Sequence, residues 1–481
     1  MEGKKVVFIA SECQPFFASG GLGDVIGSLP QKIASASKNL YEVSVILPLY
    51  SKIAQKYRNK LVYVSQMIVQ LAWSKQYCGI FKYVNKDVTY YFLDNEYYFK
   101  RHNYYGYFDD GERFAFFAKA AIDTLANLEL FPDIIHTHDW QTGLVNVYLK
   151  TNYLTDLRFS KVKTIFTIHN IEYQGIFSLD DDIIEDVFGI RKSDAYLLEY
   201  RDSINIMKGA METADIVSTV SPSYAKEILQ PEYAHHLEYQ VRRVSSKLRG
   251  ILNGIDKNFY SPSKDPALFM NYSSKNVENK IVNKTELQKM LNLPVDPKTP
   301  VISIVSRLVA HKGIEMIKEI IHPLMNEKMQ FIILGTGDIH YENFFKDLET
   351  KYSSKLRVII AYNQDLSRKI YAASDIFLMP SKSEPCGLSQ MIASRYGAIP
   401  LVRETGGLAD SIKDFSSEKG NGYTFEGLES DVLLKTIKRA LNDYQNTLDW
   451  TNKVLTVMNY DFGWTKSAKE YIKMYEELLE K

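Results

Sequence analysis

Short β-branched runs recur along this chain with longer stretches between them, and that rhythm limits the fold more than any other feature. The first series is VVFIA (6–10), VSVILP (43–48), TYYFL (89–93), DIIHTHD (133–139), KTIFTIH (163–169) and DIVSTV (215–220). Each run has the length of a strand, and each gap has room for a crossover helix, which predicts a buried, mostly parallel sheet. A second series begins at VISIVS (301–306) and continues through QFIILGTG (330–337), RVIIAY (357–362), DIFLMP (375–380) and AIPLVRE (398–404). Two series imply two open α/β domains, and 481 residues suffice for two cores. A polar segment punctuated by Gly, Pro and Ser, residues 252–276, reads as the boundary. The domains are therefore set at 1–250 and 251–460. Residues 461–481 carry Trp464, Ala468, Ile472, Tyr475 and Leu479 on one face of a helix expected to fold back toward the first domain.

Composition removes several classes of function. Lys+Arg and Asp+Glu are both 58, so no net field draws the chain to nucleic acid or to an anionic membrane. Cys13, Cys78 and Cys386 lack metal-ligand spacing and cannot all pair within the chain, which favours a reducing compartment. The start, MEGKKVVFIASEC, has no secretory pattern, and no apolar run approaches the roughly 18 residues of a membrane span, so a cytoplasmic protein is expected. The 33 tyrosines and 24 phenylalanines fill cores, and such rings also suit carbohydrate surfaces.

In open α/β domains ligands sit beyond the C-terminal ends of strands, so chemistry is sought in the loops there. PFFASGGLGDVIGSLP (15–30) follows the first strand and leads toward a helix near Leu22 or Gly23. Its glycines fit either a phosphorylated ligand at a helix N-terminus or a tight structural turn. A dinucleotide fingerprint fails, because Ile26 stands where its third glycine belongs, and the Lys-Ser/Thr of a P-loop is missing. A second glycine pair occurs in RETGGLADSI (403–412); the two either approach one ligand or are unrelated turns. SRLVAHKG places Arg307 and Lys312 after a strand, a fork and a point charge that suit a diphosphate or else a solvated surface. SKSEPCGLSQ places Glu384 before a helix expected near Cys386 or Gly387, where a carboxylate can accept sugar hydroxyls or simply serve the helix start. Cys386 has no adjacent His/Asp arrangement and reads as a small packing residue. HTHDWQTG (136–143) and TIHNIEYQG (167–175) end two strands without zinc spacing; Asp139, Trp140, His169, Asn170 and Tyr173 suit sugar binding, with a buried structural histidine as the alternative.

Taken together, SECQPFFASGGLGDV, HTHDW, TIHNIEYQG, TVSPSYAKEI, NGID, SRLVAHKG, SEPCGLSQ, TGGLADSI and DFGWTKSAKEY resemble the bacterial glycogen synthases and plant starch synthases over nearly the whole chain. These are retaining glucosyltransferases of the GT-B type. The resemblance implies two Rossmann-like α/β domains facing each other across a deep cleft, the first binding a glucan acceptor and the second a nucleotide-sugar donor. It implies glucose transfer from ADP-glucose to the non-reducing end of an α-1,4-glucan such as glycogen or a maltooligosaccharide, with retention and with no metal or cofactor required. By the same resemblance His169, Arg307, Lys312 and Glu384 are catalytic. Gly20, Gly21, Asp139, Asn253, Tyr362, Cys386, Gly387, Leu388, Thr405, Gly406 and Gly407 join the last three in holding the donor. Asp24, Trp140, Asn170 and Tyr173 serve the acceptor. Two departures stand out: Ala18-Ser19 where the family most often has Lys-Thr/Val, and Lys382-Ser383 where Arg-Phe is common. The missing lysine leaves the choice between ADP-glucose and UDP-glucose open. Another acceptor, or a catalytically silent glucan-binding role, stays as the alternative function, and either a monomer or a small homo-oligomer is allowed.

Overall fold

The computed structural model describes residues 3–37, 40–179 and 183–480; residues 1, 2 and 481 of the expected end segments lie outside that range. The chain divides into two compact units, Met1–Asn253 with Trp464–Lys481, and Gly254–Gly463.

The first unit is built on strands β1 (Lys4–Ile9), β2 (Tyr41–Pro48), β3 (Val62–Leu71), β4 (Ser74–Asn85), β5 (Val88–Asp94), β6 (Ile134–His138) and β7 (Lys163–Ile168). After a small antiparallel sheet of β8 (Ile176–Ser178), β9 (Glu199–Tyr200) and β10 (Ser203–Asn205), β11 (Ile216–Thr219) and β12 (Leu248–Gly250) rejoin the main sheet. Its order is β12-β11-β7-β6-β1-β2-β5-β4-β3. The chain thus runs β1, β2, β5 in one direction and β6, β7, β11 in the other, so the order reverses between β1 and β6. Val6 stands opposite both Val43 and Ile134, and Phe8 and Ile9 are fully buried beside it. Every run of the first series is a strand, as the apolar pattern predicts.

The antiparallel pair β3–β4 has no counterpart in the sequence reading. Its strands turn through Ala72-Trp73, with Leu71 opposite Ser74 and Ala72 at φ 51°. A two-residue hairpin turn is normally announced by Asn or Gly at such a φ, and alanine gives no such signal.

The second unit has six parallel strands, β13 (Val301–Val305), β14 (Gln330–Leu334), β15 (Leu356–Ile359), β16 (Ile376–Met379), β17 (Ile399–Arg403) and β18 (Tyr423–Phe425). Their order is β15-β14-β13-β16-β17-β18, which reverses between β13 and β16. Much of the segment expected to link the domains packs onto this unit: Tyr272 is buried and its hydroxyl donates to Tyr396 O at 2.6 Å, while Tyr396 Oη donates to Asp265 Oδ2 at 2.5 Å. Polar composition suggested a linker, but Tyr272 and Asp265 are instead satisfied by Tyr396 of the folded unit.

The C-terminal helix Thr465–Leu479 belongs to the first unit and packs on helix α1 (Gly21–Ala36). Its buried seam is Ala468, Tyr471, Met474, Tyr475 and Leu478, whereas the expected Ile472 and Leu479 are half-buried. The seam advances in steps of three with Met474 and Tyr475 adjacent, and Tyr471 and Leu478 take the inward places expected for Ile472 and Leu479.

Candidate active site

In each unit the candidate side chains collect where the strand order reverses, the place at which loops from neighbouring parallel strands diverge and leave a crevice.

In the second unit β13 delivers Arg307 and Lys312, and β16 delivers Glu384. Lys312 Nζ lies 2.7 Å from Glu384 Oε2, with the two side chains only 15% and 8% exposed. Ser381 Oγ donates to the same carboxylate oxygen at 2.9 Å, and Gly407 N donates to the Glu384 carbonyl at 3.0 Å, bringing the loop after β17 into the cluster. A Cβ on Gly407 would stand 2.2 Å from Cys386 O, so this approach requires glycine. Buried Arg403 holds the loop from behind, donating to Ser381 O and Lys382 O. The helix after Glu384 begins at Ser389 rather than near Cys386 or Gly387. Gly387 sits at φ 70°, which breaks the helical path, so Cys386–Leu388 form a loop tied down by Gln390 Nε2 to Cys386 O and Gly387 O. Cys386 is buried, in line with a packing residue. Thr405 is buried at the start of the helix Gly406–Ser411. Tyr362, after β15, is 76% exposed.

The backbone next to Arg307 is fixed by a contact not expected from the sequence. Leu308 N donates to Thr336 O and Asp338 N to Leu308 O, extending the β13–β14 pairing beyond the sheet. A Cβ on Gly335 would meet Ser306 O at 1.8 Å. The Gly-Thr-Gly after β14 was the available signal.

In the first unit the glycine loop follows β1, and Asp139 and His169 follow β6 and β7. The loop already holds an anion, and it is internal. Glu12, 4% exposed, accepts from Ser19 N (2.5 Å), Ser19 Oγ (2.6 Å), Gly20 N (3.2 Å) and Tyr105 Oη (2.7 Å). Helix α1 starts at Gly21, one residue before the expected place. Gly20 has extended backbone at φ −165°, and a Cβ there would meet nothing within 4 Å. The fold itself does not demand a glycine at this position. Asp24 sits half-buried on the first turn of α1.

Asp139 adopts φ 56°, a left-handed conformation that costs an aspartate on the order of 1–3 kcal/mol. What holds it there is a pair of bonds across to β7: its own N–H donates to Thr167 O, and its Oδ1 accepts from His169 N at 2.7 Å. Burial pushes its carboxyl up to about 7; the backbone N–H groups of His169 and Asn170 oppose this, and the charge of Glu12 adds to it. His169 Nε2 is 3.0 Å from His138 Nδ1, and His136 stacks on His138 at 4.3 Å. Burial depresses His136 and His169 to about 3 and His138 well below its usual value, so all three are neutral at pH 7. No group of three or more His, Cys, Asp or Glu side chains among the described residues is arranged to hold a metal ion.

The expected acceptor residues are less uniform. Asn170 Oδ1 accepts from Glu172 N within its own loop, and Tyr173 is 45% exposed. Trp140 is half-buried, edge-on to Phe114 and Phe177 and pressed on Gly175, whose missing side chain makes room for it. Its burial is explained by packing. Asn253 is buried with its Oδ1 unpaired.

These groups set an acid-stability signature with a defined sign. The three histidines titrate near 6.5 when unfolded, so as pH falls from about 6.5 the unfolded chain takes up protons that the folded one refuses, and stability drops. Asp139 acts oppositely, gaining its proton in the folded state near 7 but only near 3.8 when unfolded, which adds stability as pH falls between those values. Asp139→Asn should therefore steepen the loss of unfolding free energy by about one proton, or about 1.4 kcal/mol per pH unit between roughly pH 4.5 and 6.5. Urea titrations at several pH values measure this; parallel slopes for variant and parent would exclude it.

Among solved structures, the chain superposes over 100% of both chains on the catalytic domain of starch synthase IV from Arabidopsis thaliana bound to ADP and acarbose, with TM-score 0.91 and 32% identity. Two Rossmann-like α/β units with side chains gathered at both reversal points define a glycosyltransferase of the GT-B type. The starch synthase catalytic domain family matches residues 5–243, and the family of glycosyl transferases group 1 matches 286–454. The chain is 43% identical to the glycogen synthase of Anoxybacillus flavithermus over 99% of this chain and 98% of that one. It is also 43% identical to that of Bacillus subtilis, over 98% of each. It belongs to the glycogen and starch synthase family. No helix among the described residues is long and apolar enough to cross a membrane.

Proposed function

We propose that this chain transfers glucose from ADP-glucose to the non-reducing end of an α-1,4-glucan with retention of configuration. The observation that carries this reading is the Lys312–Glu384 pair at the reversal point of the second sheet, where a cation and a carboxylate share one mostly sheltered spot. A nucleoside diphosphate leaves with growing negative charge, which Lys312 and Arg307 neutralise, while Glu384 accepts hydroxyls of the transferred glucose. Thr405, Gly406 and Gly407, with Cys386, Gly387 and Leu388, line the sugar and phosphates, and Tyr362 stacks on the base.

From the first unit, His169 and Asp139 position the sugar next to its reacting carbon, with Gly20, Gly21 and Asn253 completing the donor's surroundings. The unhindered side of Gly20 supports close backbone approach of a ligand. Asp24, Asn170 and Tyr173 hold the glucan, with Trp140 as the packed support beneath them. No side chain is placed to act as a covalent nucleophile in this scheme. The acceptor 4-hydroxyl attacks on the face from which the diphosphate departs, and a departing phosphate oxygen takes its proton.

The deciding experiment is transfer of radiolabelled glucose from ADP-glucose and from UDP-glucose, each with and without glycogen. Glycogen-dependent transfer from ADP-glucose supports the full reading. Preference for UDP-glucose overturns the donor, and transfer to neither glycogen nor maltooligosaccharide overturns the acceptor. A second variant addresses the loop. Ala18→Lys adds the cation usual at that position and is expected to tighten ADP-glucose binding about tenfold, the worth of one charge-assisted hydrogen bond. Unchanged affinity in a calorimetric titration would leave the loop without a donor contact at residue 18.

A further inference from the structure

His169 is held from two directions. Its backbone N–H is fixed by Asp139, and its ring nitrogen Nε2 lies 3.0 Å from His138 Nδ1. Two facing imidazole nitrogens can bond only if one carries the hydrogen and the other offers a lone pair. The position of that hydrogen is decided at the far side of His138. There Nε2 is buried and has no hydrogen-bond partner. A hydrogen on that nitrogen would be an orphaned buried donor, which native structures avoid more strictly than an unfilled acceptor site. The proton of His138 therefore resides on Nδ1 and points at His169 Nε2.

His138 is not free to choose another arrangement. Its ring lies nearly parallel to Phe8 (8°, centroids 5.6 Å apart) and stacks on His136. His136 is itself pinned at both nitrogens, by Tyr475 Oη at 2.9 Å and Thr167 Oγ1 at 2.6 Å. Burial keeps the whole cluster neutral, so a second proton does not blur the assignment.

We infer that His138 is a positioning residue that locks His169 in the Nδ1–H tautomer, so that His169 presents a hydrogen-bond donor, not an acceptor, to the ligand beside it. The neutral ring then selects an oxygen acceptor with no change of net charge in the site. The identity of that ligand as a sugar rests on the function proposed above; the tautomer does not.

The test uses the full chain labelled with ¹⁵N-histidine. Long-range ¹H–¹⁵N correlations distinguish protonated from bare ring nitrogens, and loss of one set in His169→Gln assigns it. His169 is expected to show a protonated Nδ1 and a bare Nε2; the reverse pattern overturns the inference. His138→Leu removes the donor and is expected to leave His169 as a mixture of tautomers, lowering kcat about three- to tenfold with KM for ADP-glucose nearly unchanged. His138→Asn returns an amide N–H to the place of Nδ1 and is expected to restore both the spectrum and kcat. A single Nδ1–H form and parental kcat in His138→Leu would overturn the role of His138. If the leucine variant fails to fold, a lost Nδ1–H pattern in a folded His138→Asn does so instead. Absence of any glucose transfer by the parent chain would sink the proposed function alone, with the parent spectrum still deciding the tautomer.

Discussion

Replacing Lys312 with alanine is expected to slow turnover roughly 30- to 1,000-fold, equivalent to about 2–4 kcal/mol of transition-state stabilisation. The magnitude follows from the surroundings. The ammonium is mostly withdrawn from water beside a carboxylate that is withdrawn further, so a charge developing on a leaving group there is poorly screened by solvent. Removing Lys312 also strips Glu384 of its cation and leaves it with the Ser381 hydroxyl. Lys312→Arg keeps the charge but replaces a compact ammonium by a planar fork, and an intermediate rate is expected. The measurement is kcat at saturating ADP-glucose and glycogen, with a urea midpoint for each variant to separate chemistry from unfolding. Near-parental kcat in a folded Lys312→Ala protein would take this residue out of the chemistry.

The second large effect concerns stability. Lys284 lies on the helix Lys280–Met290 with its side chain 2% exposed, and its Nζ is 2.7 Å from Asp375 Oδ2, 2.9 Å from Tyr444 Oη and 3.1 Å from Pro297 O. The same Asp375 oxygen accepts from Val301 N at 2.8 Å, so the ion pair pins the helix to the starts of both β13 and β16. Lys284→Ala leaves a buried carboxylate without its counter-charge and is expected to destabilise the second unit by about 3–5 kcal/mol. A double change, Lys284→Met with Asp375→Leu, removes both charges and should recover part of that loss despite the missing bond to Val301. Denaturant unfolding gives the comparison; a single-variant loss within about 0.5 kcal/mol of zero would show that the pair does not carry this load.

Where the strands lie was legible because parallel strands buried on both faces must be nearly continuous apolar runs. The presence of β1 at VVFIA and of β14 at QFIILGTG needed little more than that, although β1 begins two residues before its run and β14 stops three residues short of the end of its own. The turn at Ala72-Trp73 was illegible because its conformation is imposed by the strands it joins and not by its residues. The helix expected near Cys386 starts later because one left-handed glycine, Gly387, interrupts it, and glycine in a sequence does not state its φ. The clusters at Lys312–Glu384 and Asp139–His169 could be anticipated from their positions after strands. What could not be read was pairing: nothing in SECQPFFASGG announces that Glu12 folds back onto Ser19 and Gly20 to fill the anion position the glycines suggest for a ligand. His138 was likewise hidden, since the Nε2 that decides its tautomer is left without a partner among the described residues by the packing around it, which the sequence does not state.

The C-terminal helix places Tyr475 against His136, 339 residues away along the chain. The second unit is, in linear order, an insertion within the first. During synthesis the first sheet is exposed on the surface that Trp464, Tyr471 and Tyr475 will cover until the whole second unit has been made. The histidine cluster is thus among the last parts of the molecule to be sealed from water, and the unit synthesised first is the one completed last.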